Sequence, residues 1–245
     1  MADSPTSLLL RSKETQTEYH VFVDTALAKE AGRLLLILDG DDQFEPACEV
    51  VRAGRDCGEL PPLLPVGVGY GGGYRSAVNR RARDYTPTRP AGEPMETGGA
   101  AAFLRFLERE LIPFLTERYR FAHDDIALGG HSLGSLFVLY ALAQRVSPFR
   151  RYLVSSPSIW WDDRAVLKDV AVAAAEPATP RRAFFSVGTE DTPSMTGDLE
   201  LLEKQLRERP VPGVHHTFQR FPGKDHYNAL PIAYATGLRW LYSEG

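Results

Sequence analysis

The segment DIALGGHSLGSLFVLYAL, residues 125–142, passes from a short apolar stretch through a glycine-bounded turn into a longer apolar stretch. DIAL has the composition of a buried strand, and LGSLFVLYAL is long enough to form a helix. Gly130 and Gly134 lack a Cβ, which lets the chain turn sharply between the two elements. A strand that leads directly into a helix is the building unit of α/β sheets, so this segment restricts the chain to that class.

The same alternation of strand and helix signals runs through the rest of the chain. RLLLILDG and LLPVGVGYGGG are continuous apolar runs, which are typical of strands buried on both faces of a parallel sheet. Apolar residues at helical spacing follow from Gly98, and we expect this helix to kink at Pro113. The later strands are RYLVSS, RRAFFSVG and HHTFQRF, with helices after Trp160–Trp161, through LELLEKQLRE and from about Ala229 to Tyr242.

Two extended segments come before these elements, at Ser7–Ser12 and Tyr19–Thr25. The second contains HVFVD, which alternates polar and apolar residues as a half-buried strand does. We expect the two segments to pair antiparallel at one edge of the sheet. The predicted architecture is a mainly parallel, doubly wound sheet with an antiparallel N-terminal edge pair.

Length and composition fit one globular domain that spans residues 1–245. Hydrophobic residues make up 43% of the chain, enough for a substantial core. The net charge of −4 and the lack of a long basic run argue against nucleic-acid binding and favour a small-molecule partner. No apolar stretch resembles a signal peptide or a membrane span, so we expect a cytoplasmic protein without a membrane partner. Cys48 and Cys57 are expected to be free thiols, and the oligomeric state is unknown.

Residues 70–99 are rich in glycine and proline, yet sheet elements flank them on both sides. We therefore interpret them as a long functional loop rather than a linker. Between Ser155 and Arg181 the sequence holds only a loop and one helix, which is too little for a large helical lid. The site is expected to be open, which suits a bulky or macrocyclic substrate.

Gly130-His131-Ser132-Leu133-Gly134 matches the pattern GxSxG in the strand-turn-helix setting that makes it specific for a nucleophile. Such a turn presents the serine hydroxyl at the carboxyl end of the strand, near the positive end of the next helix. Ser132 is therefore the predicted nucleophile. The alternative is that Ser132 is a small residue in a glycine-rich packing turn.

A serine hydroxyl needs a base to take its proton, and histidine has a pKa suited to that task. His226 lies in FPGKDHYNALP, a loop between the last strand and the last helix, at the carboxyl end of the sheet. This position fits the chain order serine, acid, histidine. His226 is the predicted base, and a surface-loop histidine is the alternative. The other histidines lie on or next to predicted strands or inside the serine turn: His20, His123, His131, His215 and His216.

The acid that orients the imidazole should lie between Ser132 and His226 in the sequence. FFSVGTEDTPSMTGDLELL supplies Glu190 and Asp191 just after a strand. We prefer Asp191 for its position in the loop, and Glu190 remains a rival. Asp198 is expected to be the N-cap of the following helix.

The carbonyl oxygen of an ester gains charge as the serine attacks, and backbone N–H groups can stabilise that charge. One donor is expected to be the amide of Leu133, directly after the nucleophile. The other should come from the loop after the third strand, LDGDDQF, which indicates the amide of Asp41.

Six stretches carry a family resemblance that extends from about Leu34 onward: LLLILDGDDQF, RRARDYTPT, FLRFLERELIPFLTERYRF, GHSLGSLFVLYAL, VSSPSIWWDD and FPGKDHYNALP. Together they resemble the α/β-hydrolase "putative esterases" related to esterase D, which include siderophore trilactone esterases of the IroE and Fes type. The resemblance implies an α/β-hydrolase fold and a serine hydrolase without a cofactor or metal. It also implies that Ser132 is the nucleophile, His226 the base, and the amides of Asp41 and Leu133 the oxyanion donors.

The chain departs from this family at two positions near the nucleophile. Ser135 stands where many relatives carry a second glycine, which concerns helix packing behind the turn. Leu133 stands where the trilactone esterases often carry tyrosine. For the acid the family is not uniform, since some members rely on a serine-histidine pair, and Asp191 matches the acidic position of others.

The loop NRRARDYTP bears on substrate choice, because in siderophore esterases a residue of this loop helps to hold the negatively charged substrate. Arg81 or Arg83 is the counterpart here, and a guanidinium group could bind a catecholate or carboxylate through paired donors. The alternative is that these arginines are solvated or stabilise the fold, for example by pairing with Asp84. Trp160 is expected to line the acyl or aryl pocket, and Trp161 to lie in the core.

The predicted function is ester hydrolysis through an acyl-enzyme on Ser132, with His226 and Asp191 as partners. The predicted substrate is a polar or macrocyclic ester, and a siderophore trilactone is favoured. A general carboxylesterase and an acyltransferase of the same chemistry are alternatives. A binding module on a hydrolase scaffold that has lost activity is a further alternative.

Overall fold

The structure, a computed structural model, describes residues 6–29, 32–173 and 180–243. Its strands are β1 (Thr6–Arg11), β2 (Glu18–Val23), β3 (Arg33–Ile37), β4 (Leu63–Gly69), β5 (Ala122–His131), β6 (Phe149–Ser155), β7 (Arg181–Gly188) and β8 (Val214–Phe221). They join one sheet in the order β1-β2-β4-β3-β5-β6-β7-β8. β2 pairs antiparallel with β1 and β4, and the other neighbours pair parallel. The predicted mainly parallel sheet with an antiparallel N-terminal edge pair is confirmed.

Helices cover both faces of this sheet. They are α1 (Thr25–Ala28), α2 (Gly40–Asp56), α3 (Arg81–Asp84), α4 (Ala100–Phe106), α5 (Ile112–Thr116), α6 (Leu133–Leu142), α7 (Trp161–Ala173), α8 (Pro193–Glu208) and α9 (Leu230–Tyr242). Buried residues of α2 and α9 share one hydrophobic cluster, and those of α4, α6, α7 and α8 share the other. Over the residues that the structure describes, this is the doubly wound arrangement expected of the α/β-hydrolase fold, without a large lid.

The central strand β3 shows why the apolar runs predict a sheet covered on both faces. Leu34 and Leu36 belong to one hydrophobic cluster, and Leu35 and Ile37 belong to the other. Successive side chains of a strand point to opposite faces, so a continuous apolar run fills two cores. All four side chains are fully buried.

Helix α2 was not predicted, because its first residues were assigned to the loop LDGDDQF. A glycine and two aspartates at the start, together with Pro46 inside, resemble turn chemistry. The signal that could have identified the helix is the spacing of Phe44, Ala47, Cys48 and Val51, which are all buried on one side.

The helix expected to kink at Pro113 is divided in the structure. A π-helical turn, Leu107–Leu111, separates α4 from α5, and Pro113 is the second residue of α5. Proline has no N–H to donate to the carbonyl four residues earlier, so the regular ladder cannot continue through it. π-Helical turns are one of the usual ways in which a helix accommodates such an interruption.

Asp198 is not the N-cap of its helix, which corrects the prediction. Thr192 precedes α8, and Asp198 lies six residues further along, buried inside the helix. Its carboxylate accepts a hydrogen bond of 2.7 Å from Nε of Arg164 on α7. The pattern GD before an apolar stretch resembles a helix start, but Pro193 already provides one.

Cys48 is buried in α2 and Cys57 is exposed at its end, and both are free thiols as predicted. In the described part of the chain, no helix is long and apolar enough to cross a membrane.

The carboxyl ends of the parallel strands bring together four polar residues. Asp39 follows β3, Ser132 follows β5, Asp191 follows β7 and His226 follows β8.

Candidate active site

The serine turn has the strained backbone of a nucleophile elbow. Ser132 has φ 58° and ψ −122° between β5 and α6, a conformation that residues with a Cβ rarely adopt. A Cβ at Gly130 would lie 2.6 Å from the carbonyl carbon of Gly134, so only glycine fits there. The Ser132 N–H donates to the Ser155 carbonyl at 3.0 Å, which ties the turn to β6. The turn therefore presents the Ser132 side chain at the carboxyl end of β5.

Ser135, one of the departures from the family pattern, braces this turn. Its buried hydroxyl donates to the Gly130 carbonyl at 2.6 Å and accepts the Ser155 N–H at 2.7 Å. The sequence indicated an effect on helix packing only. In the structure the hydroxyl group links α6 to both β5 and β6, next to Ser132.

His226 and Asp191 meet across two loops. Nδ1 of His226 lies 2.9 Å from Oδ2 of Asp191, whose side chain is fully buried. The other carboxylate oxygen of Asp191 accepts the N–H of Thr192 at 2.7 Å, which fixes the carboxylate. A carboxylate can only accept, so we assign the imidazole proton to Nδ1. Nε2 of His226 is then the atom with a free lone pair, as a general base requires.

Glu190, the rival acid, takes part in the same loops through its backbone. Its N–H donates to the Lys224 carbonyl at 2.9 Å, which links the loop after β7 to the loop that holds His226. The Glu190 side chain is exposed, whereas Asp191 is buried against the imidazole. The structure thus brings Asp191, rather than Glu190, to His226.

Ser132 and His226 line the same cleft. Within the described residues, the Ser132 hydroxyl has Ser158 as its hydrogen-bond partner, at 3.4 Å between the oxygens, rather than His226. A long contact of this kind leaves the hydroxyl free to turn. In many hydrolases the serine-histidine hydrogen bond tightens only when substrate is bound.

His131, inside the elbow, is a poor candidate for the base. It is buried, and its Nδ1 lies 3.1 Å from the Ser155 hydroxyl. Burial lowers the pKa of His131 to about 3, with a smaller effect from the nearby His226. The ring therefore stays neutral at physiological pH. Its centroid lies 4.5 Å from that of His226, so it packs against the predicted base.

The two predicted oxyanion donors both lie in the first turn of a helix. Leu133 is the first residue of α6, and Asp41 is the second residue of α2. The first N–H groups of a helix have no acceptor within it, so these amides are free to serve another partner. Their sequence neighbours Ser132 and Asp42 line the cleft.

The cleft around Ser132 has a volume of about 620 Å³. The long loop of residues 70–99 forms much of one wall, and the His226 loop and the start of α9 form another. Burial raises the pKa of the Asp42 carboxyl group within it. The lining residues that the sequence did not identify are Asp42, Gly73, Tyr74, Arg75, Ser76, Tyr227 and Leu230. Two signals in the sequence could have identified some of these lining residues. They are the tyrosine directly after His226 and the sequence Tyr-Arg-Ser in the long functional loop.

Arg81 lines the cleft, but its charge is matched by Asp39 rather than by Asp84. Two hydrogen bonds of 2.8 and 2.9 Å join the guanidinium group to the carboxylate. Burial raises the pKa of Asp39, and the Arg81 charge opposes that shift. Arg83 does not line the cleft, and its guanidinium group binds Asp84 and the Thr17 hydroxyl. This corrects the predicted role of Arg83 in substrate binding, because its contacts stabilise the fold of the loop instead.

Trp160 does not line the cleft either, which corrects its predicted role in the pocket. Trp160 is 43% exposed. Trp161 lies in the core as predicted, and its Nε1–H donates to the Thr88 carbonyl at 3.2 Å. The chain turns in a left-handed conformation at 162–164, directly after this pair, and α7 continues from there.

Residues 12–233 match the sequence profile of the family described as "Putative esterase". The ferri-bacillibactin esterase BesA of Bacillus subtilis (strain 168) is 30% identical over an alignment of 259 positions, which covers 97% of this chain and 89% of BesA. The structure of the BES protein from Bacillus cereus is similar with a TM-score of 0.88 and 25% identity, over 100% of this chain and 97% of that one. The structure of an IroE-like serine hydrolase from Shewanella oneidensis is similar with a TM-score of 0.84 and 26% identity. The match covers 98% of this chain and 80% of that one. The range 12–233 contains Ser132, Asp191 and His226.

Proposed function

The chain belongs to the "Putative esterase" family and is a serine ester hydrolase, and we propose that Ser132, His226 and Asp191 form its catalytic triad. The observation that carries this proposal is the 2.9 Å contact between His226 Nδ1 and the buried Asp191, on the cleft that also exposes Ser132. We propose further that the substrate is a siderophore trilactone. The ferri-bacillibactin esterase activity in the name of its relative BesA supports this choice.

In the acylation step, Ser132 Oγ attacks the ester carbonyl carbon while His226 Nε2 takes the hydroxyl proton. The electron pair of the carbonyl π bond moves to the oxygen, and the amides of Asp41 and Leu133 donate to that oxyanion. When the oxyanion collapses, the bond to the alcohol oxygen breaks, and His226 returns its proton to this oxygen. The buried Asp191 carboxylate stabilises the imidazolium ion in between.

In the deacylation step, water takes the place of the alcohol. His226 removes a proton from the water molecule, the resulting nucleophile attacks the acyl carbon, and the bond to Ser132 Oγ breaks. Oγ regains its proton from His226, and a carboxylic acid leaves. A trilactone yields a linear trimer in this way, because the alcohol released from a ring stays attached to the acyl group.

The shape of the site supports a large substrate. A cleft of about 620 Å³ lies in the middle of the range for sites that hold drug-sized ligands. Between β6 and β7 the described residues contain α7 and a short loop, so no domain covers the cleft from that side. Exposed Tyr74 and Tyr227 stand on its rim and offer aromatic surface to a bulky ester.

The substrate proposal is tested with a panel of siderophore trilactones, iron-free and ferric, beside p-nitrophenyl acetate. Product masses identify linear trimers, and initial rates give kcat/KM for each ester. We expect kcat/KM for at least one trilactone to exceed that for the aryl ester by more than about a hundredfold, since remote contacts contribute to transition-state binding. Turnover of the aryl ester alone contradicts the substrate and leaves the hydrolase chemistry in place.

Arg75 is the residue we propose for contact with an anionic substrate. It is exposed and lines the cleft, and among the described residues no salt bridge of its side chain is found. Arg81 is less suited to this role because Asp39 already matches its charge. Arg80, in the same loop, is also exposed but does not line the cleft, which makes it the matched control.

Arg75→Gln is expected to raise KM for an anionic ester by about fivefold, the effect of an exposed ion pair worth about 1 kcal/mol. KM for a neutral ester should not change. The measurement compares the mono-p-nitrophenyl ester of glutaric acid with p-nitrophenyl acetate in Arg75→Gln and Arg80→Gln. If the two variants discriminate between the esters as the wild type does, Arg75 has no part in anion binding.

We also propose that the protein acts in the cytoplasm. The free thiols of Cys48 and Cys57 suit a reducing compartment, where disulfides are rare. Cell fractionation with a tagged full-length chain tests this location. Recovery of the activity outside the cytoplasmic fraction contradicts it.

A further inference from the structure

The turn that carries the proposed oxyanion donor Asp41 contains a strained residue. Asp39 lies between β3 and α2 in the left-handed conformation, with φ 53° and ψ 45°. Residues other than glycine keep this conformation only where their surroundings hold them in it. The Asp39 carbonyl accepts the N–H groups of Asp42 and Gln43 at 3.0 and 2.9 Å, so Asp39 determines where α2 begins. The position of the Asp41 amide therefore depends on what holds Asp39.

Arg81 holds Asp39 through two hydrogen bonds that form a fork. Nε donates to Oδ1 at 2.8 Å, and the second bond joins Nη2 to Oδ2 at 2.9 Å. The Asp39 side chain is fully buried and that of Arg81 is 16% exposed, so the pair is shielded from bulk water. A planar guanidinium group that binds both carboxylate oxygens fixes direction as well as distance. The Asp39 N–H also donates to the Tyr85 hydroxyl at 3.0 Å, so main chain and side chain are both held.

The same carboxylate packs against the nucleophile elbow. A Cβ at Gly134 would lie 3.2 Å from Oδ2 of Asp39, so the carboxylate faces the backbone two residues after Ser132. Gly134 belongs to the first turn of α6, together with the other proposed donor, Leu133. The fork thus stands between the two helix starts that carry the proposed oxyanion donors.

The surroundings of Arg81 restrict its guanidinium group further. The group lies over the rings of Tyr74 and Tyr85, 4.9 and 5.8 Å from their centroids. Gln43 donates from its side-chain amide to the Tyr74 hydroxyl at 2.8 Å and contacts Asp39 Oδ2 at 3.3 Å. An arginine enclosed in this way is suited to hold a turn and poorly suited to reorient and bind a substrate.

We infer that Arg81 is a positioning residue, which through Asp39 holds the Asp41 amide where it meets the oxyanion of the attacked ester. The inference rests on the proposed function, because it requires attack by Ser132. Oxyanion donors bind the transition state more strongly than the ground state, so a displaced donor lowers kcat and leaves KM nearly unchanged. An arginine that bound the substrate anion would instead raise KM, and only for charged esters.

Arg81→Lys tests the inference, because lysine keeps the charge and loses the fork. Arg83→Lys is the matched control, since it makes the same change in the same short helix, at an ion pair with buried Asp84. The full chain is assayed with p-nitrophenyl acetate and with the mono-p-nitrophenyl ester of glutaric acid. Rates are normalised to active sites titrated with a fluorophosphonate, which counts only folded, reactive protein.

For Arg81→Lys we expect kcat to fall about tenfold to a hundredfold for both esters, with KM within about threefold of the wild type. The rate constant of fluorophosphonate labelling should fall in parallel, while the final labelled fraction stays complete. For Arg83→Lys we expect kcat within about twofold of the wild type. Equal kcat in the two variants overturns the inference, and so does a rise in KM confined to the anionic ester.

Asp39→Asn tests the same contact from the other side if Arg81→Lys does not fold. Asparagine tolerates the left-handed conformation and keeps the shape of the side chain. We expect the same loss of kcat, because one of the two hydrogen bonds of the fork loses its acceptor, and wild-type kcat in this variant overturns the inference. A wild type that hydrolyses neither ester and takes no label at Ser132 contradicts the proposed function, and the inference falls with it.

Discussion

Ser132→Ala is expected to abolish ester turnover, with kcat lowered by at least about 10⁴-fold. The alanine variant has no oxygen that could form the acyl bond, so only water attack assisted by the oxyanion donors remains. The fold should persist, because the Ser132 hydroxyl makes one long hydrogen bond, 3.4 Å to Ser158. Its loss is expected to change the free energy of unfolding by less than about 1 kcal/mol.

The measurement combines kcat with p-nitrophenyl acetate, a fluorophosphonate labelling assay and thermal unfolding. Ser194→Ala is the control, since Ser194 is exposed at the start of α8 and does not line the cleft. The control should keep both turnover and labelling. Residual turnover in Ser132→Ala above about one per cent of the wild type would place the nucleophile elsewhere.

Asp191→Asn is expected to lower kcat by about 10³-fold to 10⁴-fold, the loss found when the acid of a serine triad is replaced by its amide. Asparagine can donate to Nδ1 of His226, which shifts the imidazole proton to Nε2 and blocks the base. The half-buried imidazolium ion also loses the carboxylate that stabilises it, at 2.9 Å in the wild type. The measurement is kcat with p-nitrophenyl acetate at several pH values.

Glu190→Gln is the matched control for this variant, because it makes the same chemical change one residue earlier. The Glu190 side chain is exposed, and its backbone N–H keeps the link to Lys224 after the substitution. We expect kcat within about threefold of the wild type. A large loss in Glu190→Gln and a small one in Asp191→Asn would move the acid to position 190.

The sequence predicted those features that depend on residues close to one another in the chain. Glycines two residues before and after Ser132 are needed for the elbow, and the structure shows the sharp turn that they allow. The apolar runs indicated strands buried on both faces, and β3 has this pattern. Chain order and loop position favoured Asp191 and His226, which the structure brings to 2.9 Å. Their catalytic roles stay predictions until the variants are measured.

Features that depend on distant parts of the chain could not be predicted in the same way. Arg81 has Asp84 three residues away, yet it pairs with Asp39, which is 42 residues distant. Sequence gives the charges but does not specify which partners the packing brings together. Trp160 and Trp161 are adjacent residues of the same type, so the sequence does not distinguish them. The path of the chain after β6 decides that Trp161 is buried and Trp160 is exposed. The cleft residues Tyr74 and Arg75 depend likewise on the course of the long loop.

The acyl-enzyme on Ser132 is the central claim, and mass spectrometry of an acid-quenched reaction with a siderophore trilactone tests it most directly. The alcohol released from the ring stays attached to the acyl group, so the peptide that contains Ser132 should gain the mass of the whole trilactone. The free product should be the linear trimer, heavier than the trilactone by one water, and neither species should form with Ser132→Ala. Hydrolysis of the trilactone by a wild type whose adduct lies on another residue would contradict the claim.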